Sequence, residues 1–222
     1  RDDVESRGLG DVYKRQEATI FIHNDNPYLK KIAYGLHQIA YGSEDELYIN
    51  GHVTGNSPYL TFEWKTDNES KYHEVQTRLI GEYNFPNALA AVTIGHFFGV
   101  EPEKIDKALA GYTPQNNRSQ LKKTADNTLI IDAYNANPTS MMASISNFRN
   151  MQAENKMLIL GDMRELGKDS ADEHQKIADY LEECGFKDVV LVGELFAATR
   201  HSYQSYPCLL YTSDAADDLI GV

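Results

Sequence analysis

Leu129-Ile130-Ile131-Asp132-Ala133-Tyr134-Asn135-Ala136-Asn137-Pro138-Thr139-Ser140-Met141-Met142 is the stretch on which the reading of this chain turns. The apolar, β-branched run 129–131 predicts a buried strand. It delivers a carboxylate, a phenol and two amides into a turn before a helix opens. Asn137 suits the N-cap and Pro138 the first helical position, so the unpaired N–H groups and positive dipole end of that helix face whatever Asp132, Tyr134 and Asn135 hold. A phosphate or carboxylate fits such a corner. The competing reading is a strand-turn-helix junction whose Asp and Asn residues serve only turn geometry.

Outward from this stretch, 157–160 is a continuous apolar run of the kind a parallel central strand shows, and 188–192 is another buried strand. The helix after Pro138 carries Met141, Met142, Ile145, Phe148 and Met151 on one stripe, which reads as core rather than a metal site. Ser170-Ala171-Asp172-Glu173 reads as a capping box opening a helix with Ile177, Ala178, Leu181 and Cys184 inward and Gly185 after it. Strand, helix, strand, helix, strand is a βαβ pattern and predicts an α/β fold with a parallel sheet. Ligands in such sheets gather at the carboxyl ends of strands, which makes Asp162 and Glu165 candidate contacts. Gly161 to Lys168 imitates a phosphate loop, but five residues separate its glycines and Asp169 follows the lysine. A phosphate loop needs four and then Ser or Thr, and no stretch of the chain meets that pattern.

Before residue 113 the pattern is different. A strand at 18–22 precedes a helix expected over 27–37, with Leu29, Ile32, Ala33 and Leu36 as its inner face. Strands at 47–49, 59–64 and 73–79 follow, separated by Asn-Gly and Asn-Ser turns, and form a small antiparallel patch. Trp64 stands in no basic cluster, Lys65 being the one cation beside it in sequence, so it reads as sheet face packed on a helix rather than a stacking platform for bases. Pro86 starts a helix with Leu89, Ala91, Val92 and Ile94 inward and Asn84 and Asn87 at its mouth. Pro102 starts another, with Ile105, Ala108 and Leu109 inward and Gly111 as C-cap. Tyr112-Thr113-Pro114 then marks a domain boundary.

Composition bounds the rest. With 222 residues, 41% of them hydrophobic, the chain can bury a real core. A net charge of −12 argues against nucleic acid or an anionic membrane as partner. The two cysteines, Cys184 and Cys208, give neither a disulfide framework nor metal-ligand spacing, so a reducing, cytoplasmic compartment is expected. No apolar run reaches the roughly 18 residues of a membrane span. Residues 1–16 and 208–222 lack sustained periodicity and are expected to be non-native tails.

Asp-Ala-Tyr-Asn-Ala-Asn-Pro-Thr-Ser, preceded by Asn116-Asn117-Arg118 and followed by Leu160-Gly161-Asp162-Met163-Arg164-Glu165-Leu166-Gly167, resembles the Mur ligase family. The resemblance runs from about 18 to about 207. Within the family it is nearest to the ligases that join D-alanyl-D-alanine to UDP-N-acetylmuramoyl-tripeptide with ATP and Mg²⁺. It implies that 17–113 is the latter half of a central ATP-binding domain and 114–207 an incomplete Rossmann-like C-terminal domain, with the active site between them. It further implies that Asn84 and Asn87 face adenine, Asp132 the ribose and Arg118 the phosphates. Tyr134, Asn135 and Asn137 would line the amine-substrate side. Tyr83 departs from the family pattern, where His is usual. The phosphate loop and metal ligands are expected outside this stretch, leaving the chain itself inactive, and the full-length enzyme is expected to be a monomer. A folylpolyglutamate-type or other Mur-type ligase, or a non-catalytic Rossmann-like binding module, are the alternatives.

Overall fold

Tyr59-Leu60-Thr61-Phe62-Glu63-Trp64 alternates with period two, and strand β4 (Tyr59–Thr66) buries every second residue: Leu60, Phe62, Trp64 and Thr66. In the computed structural model, which describes residues 19–207 apart from 34 and 116, the chain divides into two compact units, Arg1–Pro114 and Gln115–Val222. Both expected tails, with Cys208, lie outside the described residues.

The first unit is built on one mixed sheet, in the order β1 (Thr19–His23), β2 (His37–Gly42), β3 (Ile49–Asn56), β4, β5 (His73–Ile80). The first three strands run parallel and the last three antiparallel. Helices α2 (Phe85–Phe97) and α3 (Pro102–Gly111) pack on it. Ile49, Leu60, Phe62, Trp64, Val75, Leu89, Val92 and Ile105 form their common core. Trp64 is fully buried, donates its indole N–H to Asp106 on α3 at 2.7 Å and stacks on His73, confirming a sheet face packed on a helix. His73 in turn reaches Asp106 at 3.2 Å and Glu69 at 3.6 Å. Burial alone would raise the Glu69 carboxyl. Hydrogen bonds from the Thr66 N–H and hydroxyl, and the neighbouring His73, outweigh it and leave the group below its ordinary range.

Several expectations for this unit fail for identifiable reasons. Helix α1 is only Pro27–Ile32; Ile32 is 74% exposed and Leu36 is also exposed, leaving Ala33 as the buried residue of the expected face. His37 opens a strand instead of closing a helix, because Gln38 Nε2 binds the Ala33 carbonyl and the backbone pairs with β1. Asn50-Gly51 is not a turn but the interior of β3. Glycine is needed there because a Cβ would meet Leu89 Cδ1 at 2.8 Å and the Glu63 carbonyl at 2.9 Å, so helix and neighbouring strand both press on it. The Asn56-Ser57 turn does join β3 to β4. On α2, Ala88 and Thr93 are buried while Ala91 and Ile94 are exposed, rotating the inner face from the one expected. On α3, Ile105 is buried and Ala108 is exposed, and Gly111 is the last helical residue rather than the cap.

The second unit holds a parallel sheet in the order β10 (Gln204–Tyr206), β9 (Asp188–Val192), β8 (Met157–Gly161). The core gathers Ile145 from α4 (Pro138–Asn150), Ile177 and Leu181 from α5 (Ser170–Glu183), Val189 and Leu191 from β9, Phe196 from α6 (Glu194–Ala197), and Met163. Strand β9, expected only to be buried, is the central strand, a place the sequence pattern assigned to β8. Among the described residues β8 is an edge strand, and Met157 and Ile159 on one face are exposed, the latter at 68%; an apolar run alone does not tell which neighbours cover it. Strands β6 (Gln120–Lys123) and β7 (Thr128–Ile131) pair with each other as an antiparallel ribbon, turned at Thr124 and Asn127. Leu129 is 41% exposed, so β7 is not the buried strand its composition predicts. The fold class is nonetheless α/β, as expected.

The capping box lies elsewhere than predicted. Ser170 has helical backbone angles because a short turn at Gly167–Asp169 runs straight into α5, which leaves it no extended N-cap geometry. The reciprocal pair belongs to Asn137 and Ser140 at the start of α4: Asn137 Oδ1 accepts from the Ser140 N–H at 2.9 Å, and Ser140 Oγ faces the Asn137 N–H at 3.4 Å. His174 is fully buried, accepts the Met163 N–H at Nε2 and donates from Nδ1 to the Ser170 carbonyl, which makes it structural.

Candidate functional site

Strand β7 ends at Ile131, and the chain turns through Asp132, Ala133, Tyr134 and Asn135 before Asn137 caps α4. A second segment, Asn117-Arg118-Ser119, lies against this turn. Asn117 and Ser119 both adopt left-handed backbone angles, with φ of 55° and 45°. That kinks the segment twice and places its three residues beside three residues of the turn. The Ala133 N–H donates to the Asn117 carbonyl at 2.8 Å, the Ser119 N–H donates to Asp132 Oδ1 at 3.1 Å, and the Arg118 guanidinium carbon sits 3.6 Å from the centre of the Tyr134 ring.

The chemistry of this corner follows from its exposure. Asp132, Arg118 and Tyr134 are all exposed, so a carboxylate with free lone pairs and an aromatic-backed guanidinium face solvent side by side. A carboxylate can accept a pair of hydroxyls, and a guanidinium can grip phosphate oxygens with two parallel N–H groups. Asn135 is exposed beside them. Asn137 contributes less than expected to any ligand, since its side-chain oxygen is taken by the cap.

The structure thus brings Arg118, Asp132, Tyr134 and Asn135 together within the second unit. In the first unit, Asn84 and Asn87 meet at the start of α2: Asn84 Nδ2 donates to the Ile80 carbonyl at 2.8 Å, and Asn87 Nδ2 reaches Asn84 Oδ1 at 3.4 Å. Asn84 is half-buried and Asn87 exposed, so Asn87 is the one open to a ligand. Asp162 is not. Its two carboxylate oxygens accept the Leu195 and Phe196 N–H groups at 3.0 and 2.9 Å, which caps α6 and makes it a structural residue. Glu165 is exposed, with φ of 67°. Asn117 and Ser119 were not legible as site residues. The one signal pointing to either is that Asn tolerates left-handed backbone, and nothing in the sequence marks Ser119.

Among the described residues no group of three or more His, Cys, Asp or Glu side chains stands close enough to hold a metal ion. No described helix is long and apolar enough to cross a membrane.

Residues 117–206 match the family model described as Mur ligase, glutamate ligase domain. The UDP-N-acetylmuramoyl-tripeptide--D-alanyl-D-alanine ligase of Bacillus subtilis is 45% identical over 91 residues, 40% of this chain and 20% of that one. The ligase of the same name from Mycobacterium leprae is 33% identical over 135 residues, 54% and 26% of the two chains. Among solved structures, MurF from Acinetobacter baumannii superposes with a TM-score of 0.76 at 24% identity, over 99% of this chain and 49% of that one. MurF from Thermotoga maritima in complex with ADP gives 0.76 at 16% identity, over 98% and 50%. This chain therefore spans about half the length of those solved chains, and its matches cover still smaller parts of the two curated relatives. The family match begins at Asn117, the first residue of the kinked segment, and runs through the turn and the parallel sheet behind it. Residues 117–206 thus carry a domain of the Mur ligase family.

Proposed function

We propose that this chain supplies the nucleotide-facing and amine-facing surfaces of an ATP-dependent ligase that adds D-alanyl-D-alanine to UDP-N-acetylmuramoyl-tripeptide, the reaction named in its relatives. The first unit is read as the latter part of a central ATP-binding domain and the second as a Rossmann-like ligase domain. The observation that carries the reading is the corner where Arg118 stacks on Tyr134 beside the exposed Asp132 carboxylate. In this reading Asn87, backed by Asn84, faces adenine. Asp132 accepts the ribose hydroxyls, Arg118 offsets phosphate charge, and Tyr134 and Asn135 border the amine substrate.

The chemistry is two displacements. The γ-phosphoryl group passes from ATP to a carboxylate oxygen of the peptide, releasing ADP. The amine nitrogen then attacks the acyl carbon, expels phosphate and loses a proton, forming the amide. No protein nucleophile is required, so the residues act by positioning and charge neutralisation. The full enzyme is read as a cytoplasmic monomer.

The test uses the 222-residue chain in ligand-observed NMR with ATP, adenosine, D-alanyl-D-alanine and L-glutamate. ATP is expected to bind more tightly than adenosine, and D-alanyl-D-alanine in preference to L-glutamate. Binding of neither ATP nor the dipeptide overturns the reading, and preference for L-glutamate moves it to a folylpolyglutamate-type ligase. Because the chain contains no Gly-rich phosphate loop, it should release no phosphate from ATP above background; turnover would show that it carries a phosphate cradle of another kind.

Asp132→Asn is expected to weaken ATP and adenosine alike, by about 1.5–3 kcal/mol, the scale of hydrogen bonds to a charged group. Thermal unfolding should stay within about 1 kcal/mol of wild type, since the Ser119 N–H can still donate to the amide oxygen and the Ser119 hydroxyl can accept from the amide N–H at this exposed site. Unchanged affinities would reduce Asp132 to a turn residue.

A further inference from the structure

Arg118 is a cation that no described carboxylate pairs. The carboxylate closest to it along the turn, Asp132, is held by the Ser119 N–H, and among the described residues the guanidinium makes no hydrogen bond or ion pair. What holds it is an aromatic face. At 3.6 Å from the ring centre a planar guanidinium lies flat on Tyr134, so its N–H groups radiate from the edge of the stack instead of pointing at the ring. The contact is also set by the backbone. Residues 117 and 119, both left-handed, are tied to 133 and 132, which leaves 118 one residue to place and Tyr134 as the surface to place it on.

We infer that Tyr134 is a positioning residue for Arg118: it fixes the guanidinium by its face and keeps both N–H edges free to grip an anionic, phosphate-bearing ligand. An arginine paired with a carboxylate would be equally well fixed, but its donors would be occupied. An arginine free in solvent would have its donors available, but would lose side-chain entropy on binding. The stack avoids both penalties. This inference rests on the nucleotide reading above for the identity of the ligand, not for the geometry.

The experiment compares wild type, Tyr134→Phe, Tyr134→Leu, Arg118→Ala and the Arg118→Ala/Tyr134→Leu double variant of the 222-residue chain, with ATP and adenosine as probes. In wild type the Arg118 side-chain protons should show an upfield ring-current shift. Tyr134→Leu should abolish that shift, leave the Ala133 amide signal in place, and reduce the preference for ATP over adenosine by about twofold to fivefold, the value of an exposed cation–π contact. Tyr134→Phe should rescue both the shift and the preference. The double variant should be no worse than Arg118→Ala alone, because the two residues act as one device. If Arg118→Ala lowers the ATP preference but Tyr134→Leu does not, the positioning role is overturned while the nucleotide reading stands. If Arg118→Ala leaves the preference unchanged, or wild type shows none, the nucleotide reading fails and the stack is structural only. Additive losses in the double variant also overturn the role.

Discussion

Trp64→Ala should destabilise the first unit by about 3–5 kcal/mol, the usual cost of removing a fully buried aromatic side chain. The effect has two sources. The indole is completely enclosed in the sheet-helix core, and its N–H is a direct link from β4 to α3 through Asp106. Without it the half-buried Asp106 carboxylate keeps, among the described residues, only His73 as a partner, and His73 loses the ring on which it stacks. Trp64→Phe separates the two sources, because it keeps most of the apolar volume and removes the donor; it should cost about 1–3 kcal/mol. Trp64 is the single tryptophan of the chain, so fluorescence cannot follow its own removal. Urea unfolding should be read from amide signals of β4 and α3, which also keeps the first unit's transition apart from the second's. A loss below about 1 kcal/mol in Trp64→Ala would mean the core relaxes into the space, against what close packing predicts.

Gly193→Ala should have an effect nearly as large, about 2–4 kcal/mol in the second unit. Gly193 has φ 121° and ψ 161°, a region open essentially to glycine alone. An alanine methyl there would also overlap the Asp162 carboxylate, which caps α6 and holds that helix against β8. The Gly193 N–H further donates to the Tyr206 carbonyl at 2.9 Å, so a shift here loosens β10 as well. Asp162→Ala alone should cost about 0.5–2 kcal/mol, the value of a lost cap. The cost of Gly193→Ala should be smaller in the Asp162→Ala background, because the overlap disappears and only the backbone strain remains. Unfolding followed at β9 and α6 amides checks this. A Gly193→Ala midpoint equal to wild type would show that the turn opens without cost.

The sequence by itself determined the α/β character, the βαβ order of the second half and the grouping of Asp132, Tyr134 and Asn135 in one turn, whereas Arg118 was joined to them only by the family resemblance. It could do so because the signals are local: Pro138 and Asn137 mark a helix start, the alternation in 59–64 marks a half-buried strand, and a polar turn after an apolar strand marks a corner. The errors occurred where coverage depends on a partner distant in sequence. Leu129 and Ile159 have the composition of buried strands, but β7 sits in a two-stranded ribbon and β8 at a sheet edge, so each has a face open. Asn50-Gly51 is written like a turn, and only the approach of Leu89 and the Glu63 carbonyl makes it strand interior. Asp162 looked like a ligand contact at a strand end, and only the position of α6 turned it into a cap. The left-handed kinks at Asn117 and Ser119, which set Arg118 on Tyr134, carry no composition signal beyond the tolerance of Asn for such angles, because they are held by hydrogen bonds to residues 133 and 132. Residue type states what a side chain can do, and tertiary contact decides which of its atoms are left to do it.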